Sequence, residues 1–352
     1  MRKRITALRR LMAKEGLSAM LVSDLPNVRY LCGFTGSNGA LLVTQRNAWF
    51  FTDFRYKEQM KREVRGCRCE MRKRDLYADF PTRHLKGIKK LGIEEAYLSV
   101  YRFNLLKRQL RKVRFVPAKG IVLRLRRRKE PSEFELIRKA QAVTDRVFRE
   151  IIARLRPGMV ERDLAAEIEF RFRQAGESAF PAIVASGPNA AMPHAEPSRR
   201  RLRSRDVVTF DIGCRYQGYC SDMTRTVFLG KPEPDLAQVY YIVLEAQKRA
   251  LDAIRPGAKC AEVDARARDY IRGMGYGECF GHGLGHGVGI EVHEQPGLHA
   301  TAKDRLAPGD VVTIEPGIYI PGLGGVRIED MVLVTSDGYE NLTRSPKRLI
   351  QL

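Results

Sequence analysis

The sequence predicts an α+β protein in which a small α/β domain precedes a larger domain made of two similar halves. Three observations favour this fold class. The formal net charge of +22 lies entirely within residues 1–128, while the rest of the 352-residue chain carries equal numbers of basic and acidic side chains. A charged segment that ends at Pro131 separates the two regions, and the second region repeats its own sequence pattern. We therefore place the domains at residues 1–128 and 129–352.

The first region alternates short helical and strand patterns. Apolar residues at helical spacing predict a first helix that ends at Gly16. A strand over 19–22, a turn over 24–27 and a glycine-rich loop over 33–39 follow. Two strands, 40–44 and 48–52, form a hairpin, after which Asp53 is a suitable cap for a helix that runs to about residue 64. A basic helix over 102–112 lies between strand ends at 92–95 and 114–117.

The second region opens with a helix and then duplicates its pattern. Ser132 is a suitable cap, and apolar residues continue at helical spacing from residue 133 to about residue 155. Three sequence matches in the same order, roughly a hundred residues apart, pair 153–158 with 253–257, 193–197 with 292–296, and 206–213 with 310–317. We expect each half to consist of two helices followed by strands.

The duplication aligns four carboxylates. Asp211 and Glu315 follow the same Val-Val-Thr strand pattern in the two halves, and Asp222 and Glu329 come after a glycine-containing turn. A pseudo-twofold axis would bring all four to one centre. Because burying unpaired carboxylates is costly, two divalent cations are predicted to hold them together.

A glycine-rich stretch over 280–294 completes the predicted site with three histidines, His282, His286 and His293. His286 is best placed to be the one nitrogen ligand, and such an oxygen-rich set favours Mn(II), Co(II) or Fe(II), with Zn(II) as an alternative. Two metals roughly 3.5–4 Å apart can ionise a bridging water and polarise a carbonyl, which predicts hydroxide attack on a carbonyl carbon. His194, His282 and His293 would then contact the oxyanion or steer the substrate, and Glu315 could shuttle the proton.

Through these residues and their neighbours, the sequence resembles the pita-bread metallopeptidases, the family of methionine aminopeptidase, aminopeptidase P and prolidase. The resemblance lies in residues 211–213, 221–226, 281–289, 292–294, 315–319 and 326–330. It implies five metal ligands, three histidines that contact substrate or transition state, and one supporting arginine. The ligands would be Asp211, Asp222, His286, Glu315 and Glu329, the histidines His194, His282 and His293, and the arginine Arg327.

The same resemblance implies an activity. Residues 1–128 are similar to the N-terminal domain of the aminopeptidase P, prolidase and creatinase branch, through residues 27–31 and 34–36. The expected protein is a homodimeric Xaa-Pro aminopeptidase or Xaa-Pro dipeptidase with a pita-bread catalytic domain and two metal ions, usually manganese or cobalt. It would cleave between an N-terminal residue and a following proline. Whether dipeptides or longer peptides are preferred stays open.

Composition adds a location and an alternative. The seven cysteines form no C-x-x-C pair, which favours free thiols in the cytoplasm, and no apolar run approaches the ~20 residues that span a bilayer. The basic first region leaves open a non-enzymatic, peptidase-like module that binds nucleic acid or another polyanion. We favour the enzyme, because such a module has no use for the full ligand set.

Overall fold

A computed structural model describes residues 1–73 and 75–352, and the chain divides into two compact units, Met1–Arg126 and Arg127–Leu352. Both units mix helices with strands, so the predicted two-domain α+β organisation is confirmed. The division falls close to the predicted boundary. Among the described residues, no helix combines the length and the apolar content that a bilayer crossing requires.

The first unit is a six-stranded mixed sheet with helices. Its helices are α1 Arg2–Lys14, α2 Leu25–Cys32, α3 Lys57–Glu63, α4 Val100–Gln109 and α5 Ile121–Arg127. Its strands are β1 Ala19–Val22, β2 Ala40–Thr44, β3 Ala48–Asp53, β4 Arg68–Arg72, β5 Lys90–Ile93 and β6 Arg114–Pro117. The strand order is β4-β3-β2-β1-β5-β6, with antiparallel pairing of β2 to both of its neighbours and parallel pairing elsewhere.

The predicted turn over 24–27 is wrong, because these residues begin helix α2. Pro26 lies at the start of α2, where its missing N–H needs no partner, so this proline starts a helix instead of breaking one. The helix ends at Gly33, which has a φ of 90° and donates its N–H to the Arg29 carbonyl. Asp53 does accept a hydrogen bond from Arg55 N, as a cap should.

The second unit begins with two helices, continues with strands, and then repeats this order. The first half contains α6 Pro131–Ile152, α7 Glu161–Arg173, β7 Glu177–Ser178, β8 Ile183–Ser186, β9 Val207–Ile212, β10 Cys214–Tyr216, β11 Tyr219–Cys220 and β12 Met223–Phe228. The second half contains α8 Pro234–Leu251, α9 Cys260–Gly273, β13 Gly285–Gly287, β14 Glu294–Leu298, β15 Val311–Ile314, β16 Gly317–Ile320, β17 Gly324–Arg327, β18 Asp330–Val334 and β19 Tyr339–Asn341.

Equivalent hydrogen bonds confirm the duplication. Gly158 N donates to Leu202 O at 2.8 Å, and Gly257 N donates to Leu306 O at the same distance. In both halves an aspartate then caps its own turn: Asp206 accepts from Arg203 N at 2.7 Å, and Asp310 accepts from Ala307 N at 2.9 Å. The central strands also pair alike, since β9–β12 and β15–β18 are both antiparallel.

One helix cap differs from the prediction. Ser132 lies inside α6, and the cap is Glu130, which forms a reciprocal capping box with Glu133. Pro131 takes the first helical position, where a proline is well tolerated. The buried face of α6 includes Ile137, Val147 and Ile151. It packs on α7 and on the sheet that contains β9 and β12, in one of two apolar clusters of this unit.

Candidate active site

The four predicted carboxylates lie at or next to the ends of paired strands. In the first half, Asp211 is the penultimate residue of β9 and Asp222 directly precedes β12, the antiparallel partner of β9. In the second half, Glu315 directly follows β15 and Glu329 directly precedes its partner β18. Each half therefore supplies one carboxylate where a strand ends and another where the neighbouring strand begins.

Glycines bring the histidine strand close to its neighbours. A Cβ on Gly285 would lie 2.0 Å from Thr313 O, and one on Gly287 would lie 2.3 Å from Gln295 O. Only glycine fits where two backbones approach this closely. The intervening His286 donates its N–H to Thr313 Oγ1 at 3.0 Å, so its imidazole is held beside Glu315.

The predicted residues converge on one cavity of about 490 Å³. Ligand atoms of Asp222, His286 and Glu329 all lie within 4.8 Å of one another. His286 Nε2 lies 3.3 Å from Glu315 Oε1 and 3.6 Å from Asp222 Oδ2. The lining of the cavity includes every residue that the sequence assigned to the site: His194, Asp211, Asp222, His282, His286, His293, Glu315, Arg327 and Glu329.

The donor set fits divalent cations. Asp211 Oδ1 and Glu329 Oε1 are buried without any hydrogen-bond partner, which is costly unless another ligand takes their lone pairs. His286 Nδ1 lies 3.1 Å from Gly287 O, and a proton donated there leaves the Nε2 lone pair facing the carboxylates. Carboxylate oxygens and one imidazole nitrogen together suit manganese, iron, cobalt or zinc.

The carboxylates repel one another. Burial, and then the charges of Glu329 and Asp211, raise the pKa of Asp222 well above its usual value. Burial, and then the charges of Glu315 and Asp211, do the same to the pKa of Glu329. The positively charged side chains of the protein therefore do not balance the negative charge in the cavity. Bound metal cations would neutralise the excess.

Glu315 and His286 shift each other's pKa. Burial alone would raise the pKa of Glu315, but the hydrogen bond and charge of His286 outweigh burial and lower that pKa to about 2. Burial likewise disfavours the imidazolium of His286, yet Glu315 outweighs it and raises the pKa of His286. A metal at His286 Nε2 would replace this shared proton, as ligand binding of a histidine requires.

Arg327 connects the two halves of the site. Its Nη2 donates to Asp211 Oδ2 at 2.7 Å, and its Nε donates to Thr224 Oγ1 at 3.0 Å. Its Nη1 donates to Tyr319 Oη at 2.8 Å, and that hydroxyl lies 2.9 Å from His282 Nε2. The arginine thus orients one carboxylate and, through Tyr319, one histidine.

The remaining histidines line the cavity without contacting the carboxylates closely. Burial lowers the pKa of His282, and burial followed by the charge of His286 lowers the pKa of His293. The His293 ring lies 4.3 Å from the His286 ring, centroid to centroid. His194 and His293 are both solvent-exposed. Both can therefore reach a molecule that enters from solvent.

Apolar side chains line the same cavity as these histidines. They are Phe180, Pro181, Ile183, Pro193, Pro197 and Val292, and all of them line the same cavity as the carboxylates. The cavity therefore offers a hydrophobic surface beside a charged centre, which is the usual composition of a small-molecule site.

Three supporting residues were missed by the sequence analysis. Thr224 Oγ1 donates to Glu329 Oε2 at 2.8 Å, and Thr313 Oγ1 donates to Glu315 Oε1 at 3.1 Å. Tyr319 is the third. A signal existed for each of them. Thr313 ends the duplicated Val-Val-Thr pattern two residues before the carboxylate position, and Thr224 and Tyr319 lie in the segments 221–226 and 315–319 that carry the family resemblance.

Comparison with known proteins gives consistent matches over the whole chain. A family model of metallopeptidase family M24 matches residues 135–336, and a model of the creatinase/prolidase N-terminal domain matches residues 4–128. The chain is 37% identical to the Xaa-Pro dipeptidase of Pyrococcus horikoshii, with 99% of each chain covered. It superposes on the solved structure of an Xaa-Pro dipeptidase from Bacillus anthracis with a TM-score of 0.96 at 42% identity, covering 99% of each chain.

A third relative carries a different printed activity. The X-Pro aminopeptidase of Thermotoga maritima superposes with a TM-score of 0.89 at 35% identity, covering 97% of this chain and all of the relative. The similar proteins therefore include both a dipeptidase and an aminopeptidase.

Proposed function

The chain belongs to metallopeptidase family M24, and from this premise we propose that it hydrolyses the peptide bond between an N-terminal residue and a following proline. The observation that carries the proposal is the convergence of four carboxylates and one imidazole on a single cavity with unsatisfied buried oxygens. The structural unit that contains them, Arg127–Leu352, has no other described cluster of this kind.

Asp211, Asp222, His286, Glu315 and Glu329 would hold two divalent cations, for which we propose manganese or cobalt. Such cations would supply a lowered pKa for a water molecule and polarisation of the substrate carbonyl. The two unsatisfied oxygens, one on Asp211 and one on Glu329, support this assignment because a cation gives each of them a partner.

Residues of the chain itself would transfer the proton, contact the oxyanion and steer the substrate. Glu315 is the carboxylate we assign to carry a proton toward the leaving nitrogen, because it lines the cavity beside His286 among the other carboxylates. His282 and His293 have lowered pKa values, so each is neutral at that pH and can donate one ring N–H to a developing oxyanion. His194 would steer the substrate from the exposed side of the cavity.

Arg327 acts indirectly in this scheme. Because it donates to Asp211 and to Tyr319, it would fix the orientation of one metal ligand and of His282 at once. We therefore assign it as a positioning residue rather than one that contacts the scissile bond.

The substrate class rests on the cavity wall and on the relatives. An apolar wall of Phe180, Pro181, Ile183 and Val292 suits a proline ring or an apolar first side chain, and both printed activities of the relatives concern a residue before proline. The relatives divide between dipeptides and longer peptides, so our proposal covers both lengths. We also propose a cytoplasmic location, which the free thiols of all seven cysteines support, and a homodimer.

The test is hydrolysis of Ala-Pro and of Ala-Pro-Ala by the purified chain loaded with Mn(II) or Co(II). Release of alanine from at least one peptide is expected, with Ala-Ala as the control for the proline requirement. Cleavage of Ala-Ala as fast as Ala-Pro would contradict the substrate class. No alanine from any peptide, together with salt-dependent RNA binding, would favour the polyanion-binding module instead.

A further inference from the structure

The first unit contains a separate pocket of about 430 Å³ that the proposed reaction does not use. It lies between one face of α1, the turn that joins β2 to β3, and the start of β4. Residues two, five, six and nine of α1 line one side, as helical spacing requires. We call it the arginine pocket, after the four arginines in its lining: Arg2, Arg9, Arg46 and Arg68.

The arginine pocket contains no compensating acid. Its other lining residues are uncharged: Ile5, Thr6, Asn47, Ala48, Gly66 and Cys67. None of the four guanidinium groups forms an ion pair with a carboxylate of residues 1–73 or 75–352, and their side chains make one hydrogen bond, from Arg9 Nε to Thr44 O at 2.9 Å. That bond holds the Arg9 side chain in place through Nε. Both terminal nitrogens of its guanidinium group remain available to a ligand.

Other arginines of the same unit do form ion pairs with carboxylates. Arg55 pairs with Asp53 at 2.9 Å, Arg72 with Asp79 at 2.6 Å, and Arg124 with Glu15 at 2.8 Å. The unit therefore pairs several arginines with its few carboxylates, yet places no carboxylate where four arginines line one cavity. Like charges gathered in this way repel one another, and an anion that binds among them would relieve that repulsion.

We propose that the arginine pocket binds a small anion that carries at least two phosphate groups. Guanidinium groups match phosphate oxygens in a two-pronged geometry, and four of them balance the charge of a diphosphate better than that of a single carboxylate. The pocket, at about 430 Å³, is of small-molecule size. Its lining has no aromatic ring on which a base could stack, so a single-stranded nucleic acid lacks its usual second contact there.

The experiment titrates inorganic pyrophosphate, as its magnesium complex, into the metal-loaded full chain by isothermal titration calorimetry. The test variant is Arg46→Gln/Arg68→Gln, because both side chains are exposed and make no hydrogen bond to a described residue, so the fold should persist. The matched control is Arg10→Gln/Arg62→Gln, which removes two exposed arginines from the same unit outside the pocket. Fluorescence of Trp49, the single tryptophan, verifies folding of this unit.

We expect pyrophosphate to bind the unaltered chain and the Kd to rise about tenfold or more in the test variant, because two charge-assisted contacts are lost. The control should change the Kd by less than about threefold, through net charge alone. Equal weakening in both variants would overturn the proposal in favour of diffuse attraction. Unchanged binding in both would place the anion elsewhere, at the metals for instance, and would also overturn it. Tighter binding of an RNA oligonucleotide, weakened equally in both variants, would contradict the small-anion assignment.

Discussion

A buried carboxylate of the first unit and two carboxylates in the cavity of the second unit are satisfied in opposite ways. In the first unit, Glu94 accepts hydrogen bonds from Ser23 N at 2.7 Å, Asp24 N at 2.8 Å and Asn27 Nδ2 at 2.7 Å. In the second unit, Asp211 and Glu329 each keep one buried oxygen without any partner. A buried acid that only holds a fold together is fully hydrogen-bonded, whereas these site acids leave capacity for a ligand.

The largest effect on turnover is expected from removing one of the four cavity carboxylates. Asp222→Asn removes one ligand charge and is expected to lower the turnover of Ala-Pro at least a thousandfold, which corresponds to roughly 4 kcal/mol in the activation free energy. Because it also relieves repulsion from Glu329 and Asp211, the metal-free variant should unfold at an equal or higher temperature. Peptide hydrolysis, metal content and thermal unfolding are measured together.

A satisfied aspartate of the same unit is the control for this variant. Asp145 accepts from Ser345 N at 2.8 Å and from Ser345 Oγ at 2.6 Å, and it does not line the cavity. Asp145→Asn should lower stability while turnover stays near normal. Turnover of Asp222→Asn within tenfold of the unaltered chain would refute the ligand assignment.

The next effect concerns stability and a buried carboxylate that is paired with an arginine. Asp330 and Arg225 are almost completely buried, lie 2.7 Å apart, and join strands β18 and β12 of the two halves. Asp330→Asn should reduce the free energy of unfolding by about 3–5 kcal/mol, because it leaves a buried guanidinium without its carboxylate. Glu245→Gln, in the exposed pair with Arg249, should change it by less than about 1 kcal/mol. Chemical denaturation followed by circular dichroism gives both values, and equal effects would contradict the role of burial.

A smaller effect concerns pH and the first unit. Burial raises the pKa of Glu94 to about 7 in spite of its hydrogen bonds, so the folded state binds a proton more tightly than the unfolded state. Its contribution to stability is therefore complete below pH ~4.5 and is lost as the pH rises through about 7. Between pH 5 and pH 8 the unit should lose up to about 3 kcal/mol relative to Glu94→Gln. Denaturation followed by Trp49 fluorescence measures this, and parallel pH profiles would exclude it.

The smallest effect should come from a histidine outside the ligand set. His293→Ala is expected to lower turnover by roughly ten- to a hundredfold, since one positioned hydrogen-bond donor is lost, and to leave metal content unchanged. Metal analysis of the purified variant is decisive. Loss of a metal ion would mean that His293 is a ligand and that the carboxylate set is incomplete without it.

The sequence predicted the duplication and the residues that line the cavity because both depend on order along the chain. Asp211, Asp222, Glu315 and Glu329 recur at matched positions in the two halves, so their convergence follows from symmetry alone. The role of Arg327 came only from family resemblance. Its contacts to Asp211 and Thr224 join residues 116 and 103 positions apart, which no local pattern encodes.

Local chemistry misled the sequence analysis where a residue type serves two purposes. Proline is common both in turns and at the first positions of helices, and Pro26 lies at the first turn of helix α2. Ser132 is a good cap by composition, but Glu130 and Glu133 form a reciprocal pair that starts α6 two residues earlier.

The close approach of strand β13 to its neighbours has a consequence for protein engineering. Any side chain added at Gly285 or Gly287 would collide with a backbone carbonyl, so these two positions cannot be varied. Tuning the range of accepted peptides is better directed at the apolar lining residues Phe180, Pro181, Ile183 and Val292. A mutant library aimed at new first-residue preferences should randomise these four codons and keep the glycine codons fixed.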